Sequence, residues 1–165
     1  MNLTAARTPE ARVSVLVAAV LPTVALVEGP TLIDVGSGNG SPGIVLGVLR
    51  PDLEVTLLEP RVRRWAFLRE VVRLLGLPQT QVLRARHDDC RVGSARTVTV
   101  RGVRLALPEL ARLVEDGGRL LVLGATPKMA GPFLPEPAGS GGMHVFRRCS
   151  TGNMTVKQRP GETRG

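Results

Sequence analysis

The chain has 165 residues, of which 43% are hydrophobic and 22% charged, and a formal net charge of +8. That length fits one domain with a sizeable core, and the balance excludes an acidic or disordered tail. Cys90 and Cys149 stand apart with no C-x-x-C pair or Cys/His cluster, so zinc and dithiol chemistry have no basis, no metal is expected, and a reducing, cytoplasmic compartment is the reading. The excess charge is local. Arg61 to Arg104 holds eleven arginines against Glu70, Asp88 and Asp89, while the rest of the chain balances. Arginine pairs with phosphate through two contacts and stacks on bases, so a polyanion partner is favoured.

In chain order, Arg7 and Arg12 precede an apolar stretch from Val13 to Val27 that resembles a signal sequence, but Pro22 and Thr23 interrupt it. It also falls short of the roughly 18 to 20 residues of a membrane span, so a buried helix opened by Thr8-Pro9 is expected. Thr31–Val35 reads as a buried strand running into a Gly-rich turn, and Pro42 opens a helix through Leu49. Glu54–Leu58 is a second strand, and Arg61–Leu75 a helix stopped by Gly76 and Pro78. On that helix Trp65, Phe67, Leu68, Val71, Val72, Leu74 and Leu75 share one arc, with Arg63, Arg69, Glu70 and Arg73 opposite.

Gln79–Leu83 and Thr97–Val100 read as the third and fourth strands. Leu107–Val114 reads as a helix, Asp116-Gly117-Gly118 as a turn and Arg119–Leu123 as a fifth strand. Strands alternating with helices imply an α/β, doubly wound, mostly parallel sheet with ligands at the carboxyl ends of its strands. Gly124 to Gly142 holds too many prolines and glycines for a regular element. Met143–Arg147 and Met154–Lys157, flanking Thr151-Gly152-Asn153, read as a C-terminal antiparallel hairpin. The expected organisation is a single domain over 1–157, comprising a helical N-terminal segment (1–29) and the Pro/Gly-rich loop, with a flexible tail at 158–165.

The turn Asp34-Val35-Gly36-Ser37-Gly38-Asn39-Gly40-Ser41-Pro42-Gly43 carries the strongest chemical signal. Its glycines let backbone approach a ligand closely, and the following helix points free N–H groups at it. Gly38-x-Gly40-x-x-Gly43 also satisfies the dinucleotide fingerprint, so a dehydrogenase is a rival reading. Asp34 opposes it, because an acid there repels a pyrophosphate and attracts the ammonium and sulfonium of S-adenosylmethionine. Glu59, with Pro60 after it, closes the second strand where an acid can bond both ribose hydroxyls. Asp88 follows the third strand, placed for an adenine amino group, or else capping a turn with Asp89.

These residues resemble the RsmG family, also called glucose-inhibited division protein B. The likeness rests on Asn2-Leu3-Thr4-Ala5, Asp34 to Ile44, Val55 to Glu59, Arg64 with Phe67-Leu68, Arg86 with Asp88, Val98-Thr99-Val100-Arg101, and Leu107-Pro108-Glu109-Leu110 leading to Gly117 to Leu121. The resemblance implies the class I S-adenosylmethionine-dependent methyltransferase (Rossmann-like) fold and methylation of a guanine N7 in 16S ribosomal RNA, naked or in the assembled small subunit. It puts cofactor contacts on Gly36, Gly38, Ser41, Glu59, His87, Asp88 and Arg101, in a crevice that also includes Asp34, Ser37, Gly40 and Pro60. Arg61, Arg63, Arg64, Arg69, Arg73, Arg86 and Arg104 are the expected RNA-binding surface. Of the aromatic residues, Phe133 is the expected exposed stacking platform, with Trp65, Phe67 and Phe146 in the core.

The chain departs from the family pattern at Ser41, at Arg96, where an acid is usual, and at Leu123, where a lysine is usual. The resemblance also leads one to expect an N-terminal extension and a His-Asp-Ser segment before the first strand, where this sequence starts almost at Asn2-Leu3-Thr4 and reads Val17 to Leu21. A cofactor- or RNA-binding relative without activity, and a methyltransferase with a non-RNA substrate, are the alternatives. Methylation at N7 needs no general base, so no catalytic residue is assigned.

Overall fold

The computed structural model describes residues 8–103, 106–124, 127, 131–137 and 142–150. A ten-residue helix, α1 (Pro9–Ala18), opens the described chain, and the Thr8 hydroxyl accepts the Ala11 N–H at 3.2 Å, so the expected cap forms. A 3-10 helix follows at Leu21–Leu26. No residue of α1 is buried, which corrects the expected buried helix. Its apolar side chains are spread around the axis rather than gathered on one face, and Val13 and Val15 are exposed. The segment is anchored further on, by Val20, Thr23 and Val27 in the core. By length and composition alone Pro9–Leu26, with a mean hydropathy of 1.5, could cross a membrane. The turn at Ala19-Val20 divides it into two helical pieces.

One seven-stranded sheet organises the rest. Its strands are β1 (Thr31–Val35), β2 (Glu54–Leu58), β3 (Thr80–Leu83), β4 (Ala95–Arg101), β5 (Val114–Leu123), β6 (Phe133–Glu136) and β7 (Met143–Arg148). They lie in the order β3-β2-β1-β4-β5-β7-β6. The first five are parallel, and β7 runs antiparallel to both its neighbours. The dinucleotide fold places its strands 3-2-1-4-5-6, with no antiparallel strand inserted before the last. The chain reverses direction across the sheet between β1 and β4, which opens a crevice at the carboxyl ends of those strands.

Alternate side chains serve opposite faces of the sheet. Leu32, Val55 and Leu57 pack under α2 (Gly43–Leu49) and α3 (Val62–Leu74), with Ile44, Leu46 and Leu68 coming from those helices. Ile33, Val35, Leu58, Val98 and Val100 face the other way, onto α4 (Leu107–Leu110) and the 3-10 turn Ala111–Leu113. Gly43 starts α2 where the helix meets the sheet most closely. A Cβ there would lie 2.4 Å from Leu57 Cδ2 and 2.7 Å from Asp34 Oδ2. Gly43→Ala is therefore expected to lower the unfolding free energy by about 1–3 kcal/mol, read by urea denaturation. An unchanged midpoint would mean that α2 can lift off the sheet freely.

Three elements differ from the sequence reading. The helix expected at Leu107–Val114 ends early because Val114 enters β5. That strand then runs through Asp116-Gly117-Gly118, expected as a turn, over a register shift between Ala95 and Thr97. A strand also forms inside the Pro/Gly-rich stretch: Phe133–Glu136 pairs with β7, and it is the edge of the sheet, where Pro135 can lack an N–H. The expected hairpin partner Met154–Lys157 and the tail at 158–165 lie outside the described residues. On α3 only Leu68 is buried; Trp65, Val71 and Val72 are half-buried, whereas Phe67, Leu74 and Leu75 are exposed. The expected arc was too broad, because the helix meets the sheet along a narrow line. Phe133 is buried by its place in β6, which reverses the roles expected for it and Phe67, while Phe146 is in the core as expected.

Candidate functional site

The Gly-rich turn leaves β1 and is spliced onto β2 by two bonds, since the N–H groups of Gly36 and Ser37 both donate to the Leu58 carbonyl, at 2.9 and 3.0 Å. Gly38 has a φ of +55° and is open above. A Cβ there would come no closer than 3.6 Å to its own turn and 3.7 Å to the Arg64 guanidinium. The turn is thus bare main chain at the point where a ligand can rest on it. Gly36 is partly roofed by Val103, and Gly40 packs against Ile44.

Glu59 sits beside this turn, 3% exposed. One carboxylate oxygen accepts the Gly38 N–H at 3.0 Å and the other the Arg61 N–H at 2.8 Å. A carboxylate oxygen has two lone-pair sites, so each keeps one for a further donor such as a sugar hydroxyl. Pro60 is exposed at the lip between Glu59 and Arg61.

Asp34 lies beneath the crevice rather than in its wall. It is fully buried, accepting the Thr99 hydroxyl at 2.7 Å on one oxygen and the Gly43 N–H at 3.3 Å on the other. Burial pushes its carboxyl up to about 6, partly offset by the Thr99 hydroxyl. Its attraction for a cationic ligand therefore acts through the field and not through contact. Ser37, also buried, bonds the Asp34 carbonyl at 2.9 Å.

Arg101 ends β4 and reaches across to Ser41, its guanidinium donating to the hydroxyl at 2.5 Å. The Ser41 hydroxyl in turn donates to the Leu16 carbonyl of α1 at 3.4 Å. The two residues are thereby joined, and α1 is hung on the glycine turn. His87 is buried after β3, with Nε2 3.3 Å from the Glu109 carboxylate, and its carbonyl accepts a bond from Arg112. Asp88 is exposed and turned onto Arg86 at 3.2 Å; its own backbone N–H first, and the Arg86 guanidinium second, hold its carboxyl below the usual range. Asp34, Glu59 and Asp88 thus share one end of the sheet but face different partners. Arg104 lies outside the described residues.

Thr99, Glu109 and Arg112 were given no role at the site from the sequence, although Thr99 and Glu109 stand in stretches that carry the resemblance. Only Thr99 left a signal, as a hydroxyl in a central strand in direct register with Asp34. At the opposite, amino-terminal end of the strands, Glu28 receives Arg96, Arg119 and Arg147 at 3.1, 3.2 and 2.9 Å. Glu136 takes Arg119 at 2.8 Å and also Arg147. Arg96, where the resemblance led us to expect an acid, is thus paired with a carboxylate within the chain.

The strand order, the reversed β7 and the glycine turn at the switch point define a class I, Rossmann-like methyltransferase fold. Solved structures agree. Mitomycin 7-O-methyltransferase MmcR overlays with a TM-score of 0.62 at 18% identity, covering 87% of this chain and 59% of that one. An O-methyltransferase family protein from Burkholderia thailandensis gives 0.59 at 16%, covering 87% and 60%.

Within that fold, a family model described as rRNA small subunit methyltransferase G matches residues 1–128. The chain belongs to that family. Two relatives carry the name ribosomal RNA small subunit methyltransferase G. That of Nocardioides sp. is 45% identical over 126 residues, covering 73% of this chain and 48% of the relative. That of Thermobifida fusca is 48% identical over 101 residues, covering 58% and 42%. The chain spans about half the length of the curated relatives it matches.

Proposed function

We propose that the chain binds S-adenosylmethionine in the crevice at the carboxyl ends of β1, β2 and β4 and methylates a guanine N7 of small-subunit ribosomal RNA in the cytoplasm. The observation that carries this is Glu59, held at the crevice by the N–H groups of Gly38 and Arg61 with lone pairs to spare, beside the bare main chain of Gly38. That donor set fits a ribose diol resting on bare backbone, and membership of the family supports the rest. When bound, the sulfonium supplies the methyl group.

The chain's own part is placement. Glu59 fixes the nucleoside, and the buried Asp34 sets a negative field under the glycine turn. Arg101, steadied by Ser41, puts a cation on the crevice wall within reach of a carboxylate or phosphate. Guanine N7 has its lone pair free in the ring plane, so alignment of the two reactants suffices and no proton need be removed.

The test is calorimetric titration with S-adenosylmethionine, then transfer of labelled methyl to small ribosomal subunits. Glu59→Gln keeps the shape and removes one acceptor and the charge. It is expected to weaken cofactor binding about 10- to 100-fold, the range for a hydrogen bond to a charged group. Absence of cofactor heat in the unaltered protein would overturn the whole reading, and binding without transfer would overturn its catalytic half.

A further inference from the structure

Two groups of arginines in the described chain differ in their partners. Arg96, Arg119, Arg147 and Arg148, on the β4–β7 half of the sheet, are all paired with carboxylates. Arg61, the N-cap of α3, and Arg63, Arg64 and Arg69 within it have no side-chain carboxylate partner among the described residues. Three of these gather at the start of α3, which has no acid in its first turn, so they face the positive end of the helix dipole. Glu59 already meets the Arg61 N–H at that end, so the guanidiniums beyond it stand without a carboxylate of their own.

One turn further along, the helix carries a ring. Trp65 donates its indole N–H to the Val82 carbonyl at 3.2 Å, on the edge strand β3, which fixes the half-buried ring in one plane. The exposed Arg69 lies over it, its guanidinium carbon 4.9 Å from the ring centroid. Arg73 stands a turn beyond, bonded to Glu70 at 2.7 and 3.0 Å. Together they border a shallow cleft of about 350 Å³.

We infer that this cleft docks a base of single-stranded RNA. The base stacks on the outer plane of the Arg69 guanidinium, as a third layer over Trp65, while flanking phosphates are met by the unpaired arginines of α3. This rests on the reading of the chain as an RNA methyltransferase and adds to it a second contact outside the crevice. Charge alone would attract any polyanion. The guanidinium held over the indole ring adds a requirement for bases, because bases stack on guanidinium and aromatic planes in a sequence-tolerant way.

The test uses the full chain and a short fluorescein-labelled oligouridylate, with affinity read by anisotropy at fixed salt. Arg69→Lys keeps the charge and loses the plane, and at an exposed position it leaves the fold intact. It is expected to weaken RNA binding about tenfold, within the range for one lost stacked base. Heparin, a polyanion without bases, should bind Arg69→Lys as well as the unaltered chain. Arg50→Ala, which removes a surface arginine paired with Asp52, should change neither.

Equal RNA affinity for Arg69→Lys and the unaltered chain would overturn the inference, as would an equal loss for RNA and heparin. S-adenosylmethionine titrations run alongside separate the two readings. A chain that holds the cofactor but shows no Arg69 effect sinks only the docking site, and a chain that fails to hold it sinks the crevice assignment.

Discussion

Replacing Glu28 by glutamine is expected to lower the unfolding free energy by about 2–3 kcal/mol and the melting temperature by roughly 5–10 °C. The carboxylate receives Arg96 from β4, Arg119 from β5 and Arg147 from β7, and its side chain is only 26% exposed. A glutamine leaves three guanidiniums close together with Glu136 as the remaining anion, and turns an amide N–H₂ toward donors. The loss is set below that of a fully buried pair because water still reaches the group.

The hydrogen bond from Arg147, together with the charges of Arg119, Arg147 and Arg96, holds the Glu28 carboxyl below its ordinary value of 4.5, and Glu136 is lowered in the same way. Their contribution is present above pH 4.5 and is lost as pH falls through the depressed values. Glu28→Gln should therefore flatten the acid limb of the stability curve as well as lower its plateau. Urea denaturation from pH 3 to 7 measures both. A change under about 0.5 kcal/mol, the size typical of ion pairs on a protein surface, would show the network to be screened by solvent.

Asp34 should behave in the opposite sense. Its folded carboxyl titrates at about 6 against 3.8 ordinarily, so between those values the native state keeps a proton that the unfolded chain has released. Stability from this group is complete below pH 3.8 and is lost as pH rises through 6, at a cost of about 3 kcal/mol. Asp34→Asn removes that penalty. Its amide oxygen can accept the Gly43 N–H and its N–H₂ can donate to a rotated Thr99 hydroxyl. The variant is expected to be about 1–3 kcal/mol more stable than the unaltered chain at pH 7.5 and indistinguishable from it near pH 4. Asp34→Ala strands two buried donors and should be about 2–4 kcal/mol less stable at either pH. An asparagine variant destabilised at pH 7.5 would mean that the ionised carboxylate is well satisfied there and carries no net burial penalty.

What the sequence disclosed depended on how local the cause was. The glycine turn, the acid closing β2 and the start of α2 are each written in a few adjacent residues, and the structure has them where those residues put them. Short runs of β-branched and apolar residues likewise marked β1, β2 and β4, because such side chains suit a sheet covered on both faces. The errors lie where a distant partner decides. Phe133 is buried because β7 recruits its segment as an edge strand, although prolines surround it. Gly117-Gly118 stays in β5 because β4 shifts register to follow it. The role of Asp34 is set by Thr99, which is 65 residues away in sequence and adjacent in the sheet. Composition revealed that arginines were in excess, but only the fold separates those that hold it together from those left unpaired.

That separation has a practical side. In 1 M salt the Debye length shrinks to about 3 Å, which strips nucleic acid from guanidiniums exposed to water. The bonds around Glu28 are as short as that and sheltered, so they survive the same wash. Preparations rinsed at high ionic strength should thus shed co-purifying RNA and come off the column still folded.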